Sequence, residues 1–165
     1  MRMRLLAVGT RMPAWVNIAV DEYRRRFPRD LSLELVEIAP GARGGTRYDA
    51  AKAMGQEAQR LTAKLDSRDH VVALEVDGRQ LDTQALAKWL QGRREQGQDL
   101  AFLIGGADGL DCSLTSRIQE RLSLSPLTLP HAIARVVLIE QLYRAWTITA
   151  GHPYHRAAAA SAISR

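Results

Sequence analysis

The chain has 165 residues, 46% of them hydrophobic, and a formal net charge of +5. That is the size and composition of one globular domain with its own core, and no apolar run approaches the ~20 residues that cross a bilayer. The single cysteine, Cys112, excludes an internal disulfide and a cysteine metal cluster, as expected in a reducing, cytoplasmic setting, while the positive balance suits a polyanionic partner such as RNA.

The opening MRMRLLAVGT sets basic residues before a short apolar run that soon meets Arg11 and Pro13. A signal peptide needs ~7–15 apolar residues, so Arg4 to Gly9 reads instead as a first strand. In Trp15 to Phe27, Val16, Ala19, Val20, Tyr23 and Phe27 share one helical face, and Pro28 stops the helix. Leu31 to Ile38 is a second strand. PGARGGT, residues 40–46, is a basic loop, after which Thr46 or Asp49 caps a helix to about Leu65.

Asp66 to Asp69 is a turn, and Val71 to Val76 is a third strand, nearly all apolar as in the middle of a parallel sheet. Asp77-Gly78 turns the chain. Asp82 or Thr83 opens a helix over about Gln84 to Gln96, with Leu86, Trp89 and Leu90 inward and Gly97 as its C-cap. Leu100 to Ile104 is a fourth, buried strand. Asp111 or Ser113 opens a short helix to about Arg121, Ser123 to Leu129 is extended, and Pro130 or His131 begins the last helix. Strands alternating with helices predict an α/β fold with a mainly parallel sheet between helices. Residues 1–156 read as one domain and residues 157–165 as a tail.

Two loops stand out. The first strand ends in one glycine, Gly9, without the G-x-G-x-x-G of a dinucleotide-binding fold, and no P-loop motif occurs. The glycines gather instead after the fourth strand, in LIGGADGL, residues 103–110. Ligands of open parallel sheets sit at the carboxyl ends of strands. Leu74-Glu75, Gly105-Gly106 and the Ser125–Pro130 loop would therefore frame a pocket, with Leu127 and Leu129 as apolar walls. The alternative is a structural turn without a ligand.

In the last helix Arg135, Ile139, Leu142 and Trp146 share a face, with Glu140, Gln141 and Arg144 roughly opposite. Most of its circumference is apolar, which predicts burial on more than one side and a homodimer interface. Arg135 then needs an acceptor, either a carboxylate or carbonyl of a partner subunit or an ion pair at the interface rim. The segment Gly151 to Arg156 brings His152, Tyr154, His155 and Arg156 together. With no cysteine or carboxylate alongside, a zinc site is not expected; the cluster is either a polar cap or a substrate-facing group. Arg24, Arg25, Arg29 and Arg43 form either solvated surface or an RNA-facing strip that contacts backbone. His131 reads as a helix-start residue and Cys112 as structural.

Taken in order, LLAVGTRMPAWV, EYRRRFPRD, LIGGADGL, LSLSPLTLPH, LIEQLYRAWTI and HPYHR closely resemble the RlmH (YbeA-type) ribosomal RNA large subunit methyltransferases, knotted enzymes of the SPOUT superfamily. The resemblance runs from Met3 to Arg156. It implies a C-terminal trefoil knot, an exception to unknotted topology, and a homodimer. It also implies transfer of a methyl group from S-adenosylmethionine to N3 of a pseudouridine in helix 69 of 23S rRNA, on the assembled 70S ribosome and without a metal.

Carried over by motif, the cofactor contacts are Leu74, Glu75, Gly105, Gly106, Ser125, Pro126, Leu127, Thr128, Leu129 and Pro130. Tyr154, His155 and Arg156 would lie by the target base, near the partner's cofactor, with His155 orienting the base or taking its proton. Arg156 and Arg144 would hold phosphate or stabilise developing charge. Two departures from the family pattern, Ala107 after the glycine pair and Ala132 after LPH, remove no reacting group. The rivals are a knotted methyltransferase for another RNA such as tRNA, a non-catalytic ribosome-binding factor and, more remotely, a nicotinamide or nucleotide enzyme.

Overall fold

The computed structural model describes residues 1–42 and 49–154. Thr46, Arg43, His155, Arg156 and the tail lie outside the described residues. A five-stranded sheet has the order β2-β1-β4-β3-β5, and every neighbouring pair in it is parallel. Its strands are β1 (Arg2–Val8), β2 (Ser32–Ile38), β3 (His70–Gln80), β4 (Leu100–Ile104) and β5 (Glu120–Ser123). The helices are α1 (Ala14–Arg24), α2 (Ala50–Thr62), α3 (Thr83–Glu95) and α4 (His131–Thr149), with a 3-10 turn over Cys112–Arg117 between β4 and β5.

Strand alternation divides the core into two layers. Met3, Leu5 and Ala7 of β1 face α1, α3 and α4, packing with Val16, Val20, Leu90, Leu138 and Leu142. Leu6 and Val8 face the other side with Ala58 and Leu61 of α2 and Leu114 of the 3-10 turn. Asp49, one of the two expected caps, accepts from Lys52 N at 3.0 Å. Asp82 caps α3 by accepting from Ala85 N at 2.7 Å.

The expected boundaries shift in several places. α1 ends at Arg24, before the expected stop at Pro28. The short helix is a 3-10 turn capped by Asp111 that ends at Arg117, because the chain re-enters the sheet at Glu120. The extended piece is accordingly Glu120–Ser123, and residues 124–130 form a loop. Asp77-Gly78 is not a turn: Leu74 and Arg79 both pair with Leu122, so residues 75–78 bulge out of a β3 that runs on to Gln80. Gly78 fits this bulge because a Cβ there would come within 2.6 Å of the Leu122 backbone. Cys112 is exposed and has no part in the core.

The amino ends of β3 and β5 are tied by Glu120. Its carboxylate accepts from His70 Nε2 at 2.7 Å, Trp89 Nε1 at 3.1 Å, Arg79 at 3.2 Å and Arg93. Burial alone would raise the Glu120 pKa, but the bonds from His70 and Trp89 and the Arg93 charge outweigh it and hold it below the ordinary glutamate range. Its contribution to stability is therefore complete above about pH 4.3, the unfolded value. That contribution is lost as pH falls through the lower, folded value. In paired acid-unfolding curves, wild type is expected to exceed Glu120→Gln in stability at pH 7, with the gap closing below pH 4.

Candidate active site

A cavity of ≈ 690 Å³ opens at the carboxyl edge of the sheet. Three segments build it: the bulge of β3 and the residue before it (Leu74 to Asp77), the glycine loop after β4 (Gly105 to Leu110), and the loop between β5 and α4 (Leu124 to Pro130). These are the three segments expected from sequence, and all their proposed contact residues line the cavity except Pro126, which is exposed and outside its wall. Val76, Asp77, Asp108, Leu110 and His131 line it too and were not anticipated. His131 follows the pocket loop directly as the first residue of α4, which is the signal that could have found it.

Local geometry fixes each wall. Gly109 has φ +90°, a left-handed conformation suited to glycine. Its N–H donates to Gly106 O at 3.1 Å, closing the turn. Gly105 is required for another reason: a Cβ there would lie 2.5 Å from Gly109 C and 2.9 Å from Leu110 N. In the next loop the Ser123 hydroxyl donates to Ser125 O at 2.9 Å, and Leu127 N–H donates to the Ser125 hydroxyl at 3.0 Å. Leu127, 73% exposed, therefore sits at the mouth. Glu75 accepts from Arg121 Nε at 2.8 Å, which fixes one carboxylate of the lining.

Arg135 lies under this edge and is fully buried. Its acceptors come from its own chain, not from a partner. Glu37 accepts at 2.8 Å, and the carbonyls of Ala7, Val8 and Gly9 accept at 3.3, 3.1 and 2.7 Å. The guanidinium thus pins the N-terminal half of α4 to the carboxyl end of β1.

Tyr154 and Arg144 are elsewhere. α4 starts at the cavity, with His131 and Ala134 in its wall, and runs back across the sheet. Arg144 is roughly 15 Å further along the axis at about 1.5 Å per residue. There Tyr154 packs edge-on against Tyr143, ring centroids 4.9 Å apart. The Tyr154 hydroxyl donates to Glu140 Oε1 at 3.1 Å and lies 3.1 Å from the Tyr23 hydroxyl at the end of α1. Arg144 pairs with Glu140 at 2.5 Å and sits 4.9 Å over the Tyr154 ring. Arg24, Arg25 and Arg29 are exposed beside this end. One chain therefore carries its cavity at one edge and its Tyr154, Arg144 and basic cluster at the other.

Burial first, then the Tyr23 hydrogen bond and the Glu140 carboxylate, push the Tyr154 phenol well above its ordinary value. It is a donor at neutral pH, not a base. In a spectrophotometric tyrosine titration, Tyr154→Phe is expected to remove signal from the high-pH end of the wild-type curve.

Fold and site together define an α/β protein with a small-molecule cavity at the carboxyl edge of a parallel sheet, built from its later strands rather than from the loop after the first. Comparison with known proteins makes this specific. A family model described as "Predicted SPOUT methyltransferase" matches residues 1–155, and the chain belongs to the SPOUT methyltransferase family. Membership carries with it the trefoil knot expected above. The chain is 55% identical over 156 residues to a protein of Chromohalobacter salexigens, covering 94% of this chain and 100% of the relative. Relatives in Hahella chejuensis (50% identical; 94% and 99% covered) and Burkholderia thailandensis (49%; 95% and 100%) are similar at nearly full length. All three bear the name ribosomal RNA large subunit methyltransferase H.

Proposed function

We propose that this protein is a cytoplasmic homodimer that methylates N3 of a pseudouridine in helix 69 of 23S rRNA, with S-adenosylmethionine as donor and the assembled 70S ribosome as substrate. The carrying observation is the cavity formed by the three segments of the SPOUT resemblance, in a chain whose full-length relatives are named for ribosomal RNA methyl transfer. The net charge of +5 suits the polyanionic substrate.

The lining fits the donor. Leu74, Ile104, Leu110 and Leu129 offer apolar walls to a purine, the Gly105–Gly106 backbone allows close approach, and Glu75, Asp77 and Asp108 suit a cationic ligand. Leu74, Glu75, Gly105, Gly106, Ser125, Leu127, Thr128, Leu129 and Pro130 would hold it, while Pro126 shapes the loop. S-adenosylmethionine, when bound, supplies a methyl group activated by its sulfonium.

The residues of this chain then have to align the acceptor base, exclude water and remove the N3 proton. Because Tyr154 and Arg144 stand apart from the cavity of their own chain, a second copy would bring them to it. Trp15, Ile18 and Ile133, large apolar side chains left 37–69% exposed on α1 and α4, supply a surface for that copy. Tyr154, whose hydroxyl donates to Glu140, orients that carboxylate, and Arg144, held by Glu140, stabilises negative charge on the base. His155 takes the proton or orients the base, Arg156 grips phosphate, and Arg24, Arg25, Arg29 and Arg43 contact RNA backbone.

The test is incubation with labelled S-adenosylmethionine and, separately, unmodified 70S ribosomes, free large subunits and bulk tRNA, followed by mapping of the labelled nucleotide. Label at a helix 69 pseudouridine, strongest on 70S, is expected. Label only in tRNA would keep the chemistry and replace the substrate. Ribosome binding without label would replace catalysis by a binding role.

A further inference from the structure

A second cavity, ≈ 480 Å³, lies over the carboxyl end of β1. Gly106, Ala107 and His131 belong to both cavities, so the two share a wall. Its position follows from topology. β1 and β4 are neighbours, yet the chain leaves β1 through α1 toward β2 and leaves β4 through the 3-10 turn toward β5, on the opposite face. A crevice opens where connections diverge in this way, and it is where open α/β sheets take ligands.

The floor is Gly9. Its N–H donates to Ile38 O at 2.8 Å and its carbonyl accepts from Arg135 at 2.7 Å, so the loop from Gly9 to Met12 starts from a fixed point. Gly9 has φ +116°, and a Cβ there would come within 2.9 Å of Met12 and 3.2 Å of Arg135. Above the floor stand Thr10 and Arg11, both exposed. Neither side chain makes a hydrogen bond or ion pair to any described residue, whereas Arg26, Arg60, Arg93, Arg94, Arg121 and Arg144 all do. Val8, Met12 and Pro40 provide an apolar side. An uncommitted guanidinium and hydroxyl facing an apolar wall match a nucleotide: phosphate on Arg11, sugar on Thr10, base against the wall.

We propose that this second cavity is a subsite for a nucleotide of the RNA substrate flanking the acceptor, with Arg11 as its phosphate ligand. The inference rests on the reading of the neighbouring cavity as the donor site, since the shared wall sets this nucleotide beside the base to be methylated. Arg11 and Thr10 are exposed loop residues, so replacing them leaves the core intact.

The experiment measures binding of unmodified ribosomes by wild type, Arg11→Ala, Arg11→Lys and Thr10→Phe across a salt titration, alongside calorimetric affinity for S-adenosylmethionine and steady-state methylation. Arg11→Ala is expected to bind ribosomes several-fold more weakly, with a salt slope shallower by about 1. Arg11→Lys should restore the slope. Thr10→Phe should weaken binding by filling the cavity and leave the slope unchanged. Donor affinity should equal wild type in all three. Unchanged ribosome affinity and slope in Arg11→Ala, with methylation intact in wild type, would overturn the subsite and spare the donor site. A wild type that binds ribosomes in an Arg11-dependent way but never methylates would spare the subsite and overturn the donor reading.

Discussion

Replacing Arg135 by alanine is expected to lower the unfolding free energy by about 3–4 kcal/mol, since removing one member of a buried, hydrogen-bonded ion pair costs about 3–5. Arg135 is 0% exposed and binds Glu37 together with three successive carbonyls at the end of β1. Alanine would leave those carbonyls short of a donor and a cavity where the side chain was. Glu37, 34% exposed at its side chain, can turn to water, which keeps the loss at the lower end. Glu37→Gln should cost much less, because the carbonyls still hold the guanidinium. Chemical denaturation of the two variants beside wild type reads both values. A loss under 1 kcal/mol for Arg135→Ala would mean that α4 is anchored by its apolar face alone.

Gly105→Ala is expected to abolish most donor binding while leaving the protein folded. Its Cβ would stand 2.5–2.9 Å from Gly109 and Leu110 backbone atoms, so the loop itself has to move. Overpacking of this kind costs about 1–3 kcal/mol. If the loop shifts into the cavity, that cost appears as a roughly ten- to hundredfold loss of S-adenosylmethionine affinity. Gly92→Ala is the control. It sits inside α3 with nothing within 4 Å of the added Cβ, and alanine there gains up to about 1 kcal/mol in helix propensity. Calorimetric titration of both variants checks the contrast.

What the residues reveal before folding follows from the range of the interactions. The apolar run Leu100–Ile104 matches β4 end to end, because a strand buried on both faces carries its signal locally. The three cavity segments are legible for the same reason: each is an apolar strand stretch that runs into glycine, serine or proline. Asp77-Gly78 misleads because the same dipeptide serves a turn and a bulge, and only the neighbour β5, with Leu122 pressed against Gly78, decides between them. The Arg135 acceptors are illegible for a different reason. Three are backbone carbonyls and the fourth, Glu37, is 98 positions away, so no local pattern marks them. The apolar stripe predicts an acceptor for that arginine across an interface, whereas the chain supplies the acceptors itself. Likewise HPYHR reads as a polar cluster, but the distance of Tyr154 from the cavity depends on the direction in which α4 crosses the sheet.

The separation of the cavity from Tyr154 and Arg144 within one chain is the centre of the proposed mechanism, and mixed dimers test it directly. Gly105→Ala impairs the cavity, and a double replacement of Arg144 and Tyr154 by alanine impairs the opposite edge. Each protein alone should methylate ribosomes poorly. Co-refolded in equal amounts, half the dimers pair one of each, and every such dimer holds one cavity and one opposite edge that are both intact and belong to different chains. The mixture should then recover about a quarter of wild-type activity. No recovery, with mixed dimers demonstrated by differential tagging, would mean that each chain works with its own residues, and the two-chain account of the site would be wrong.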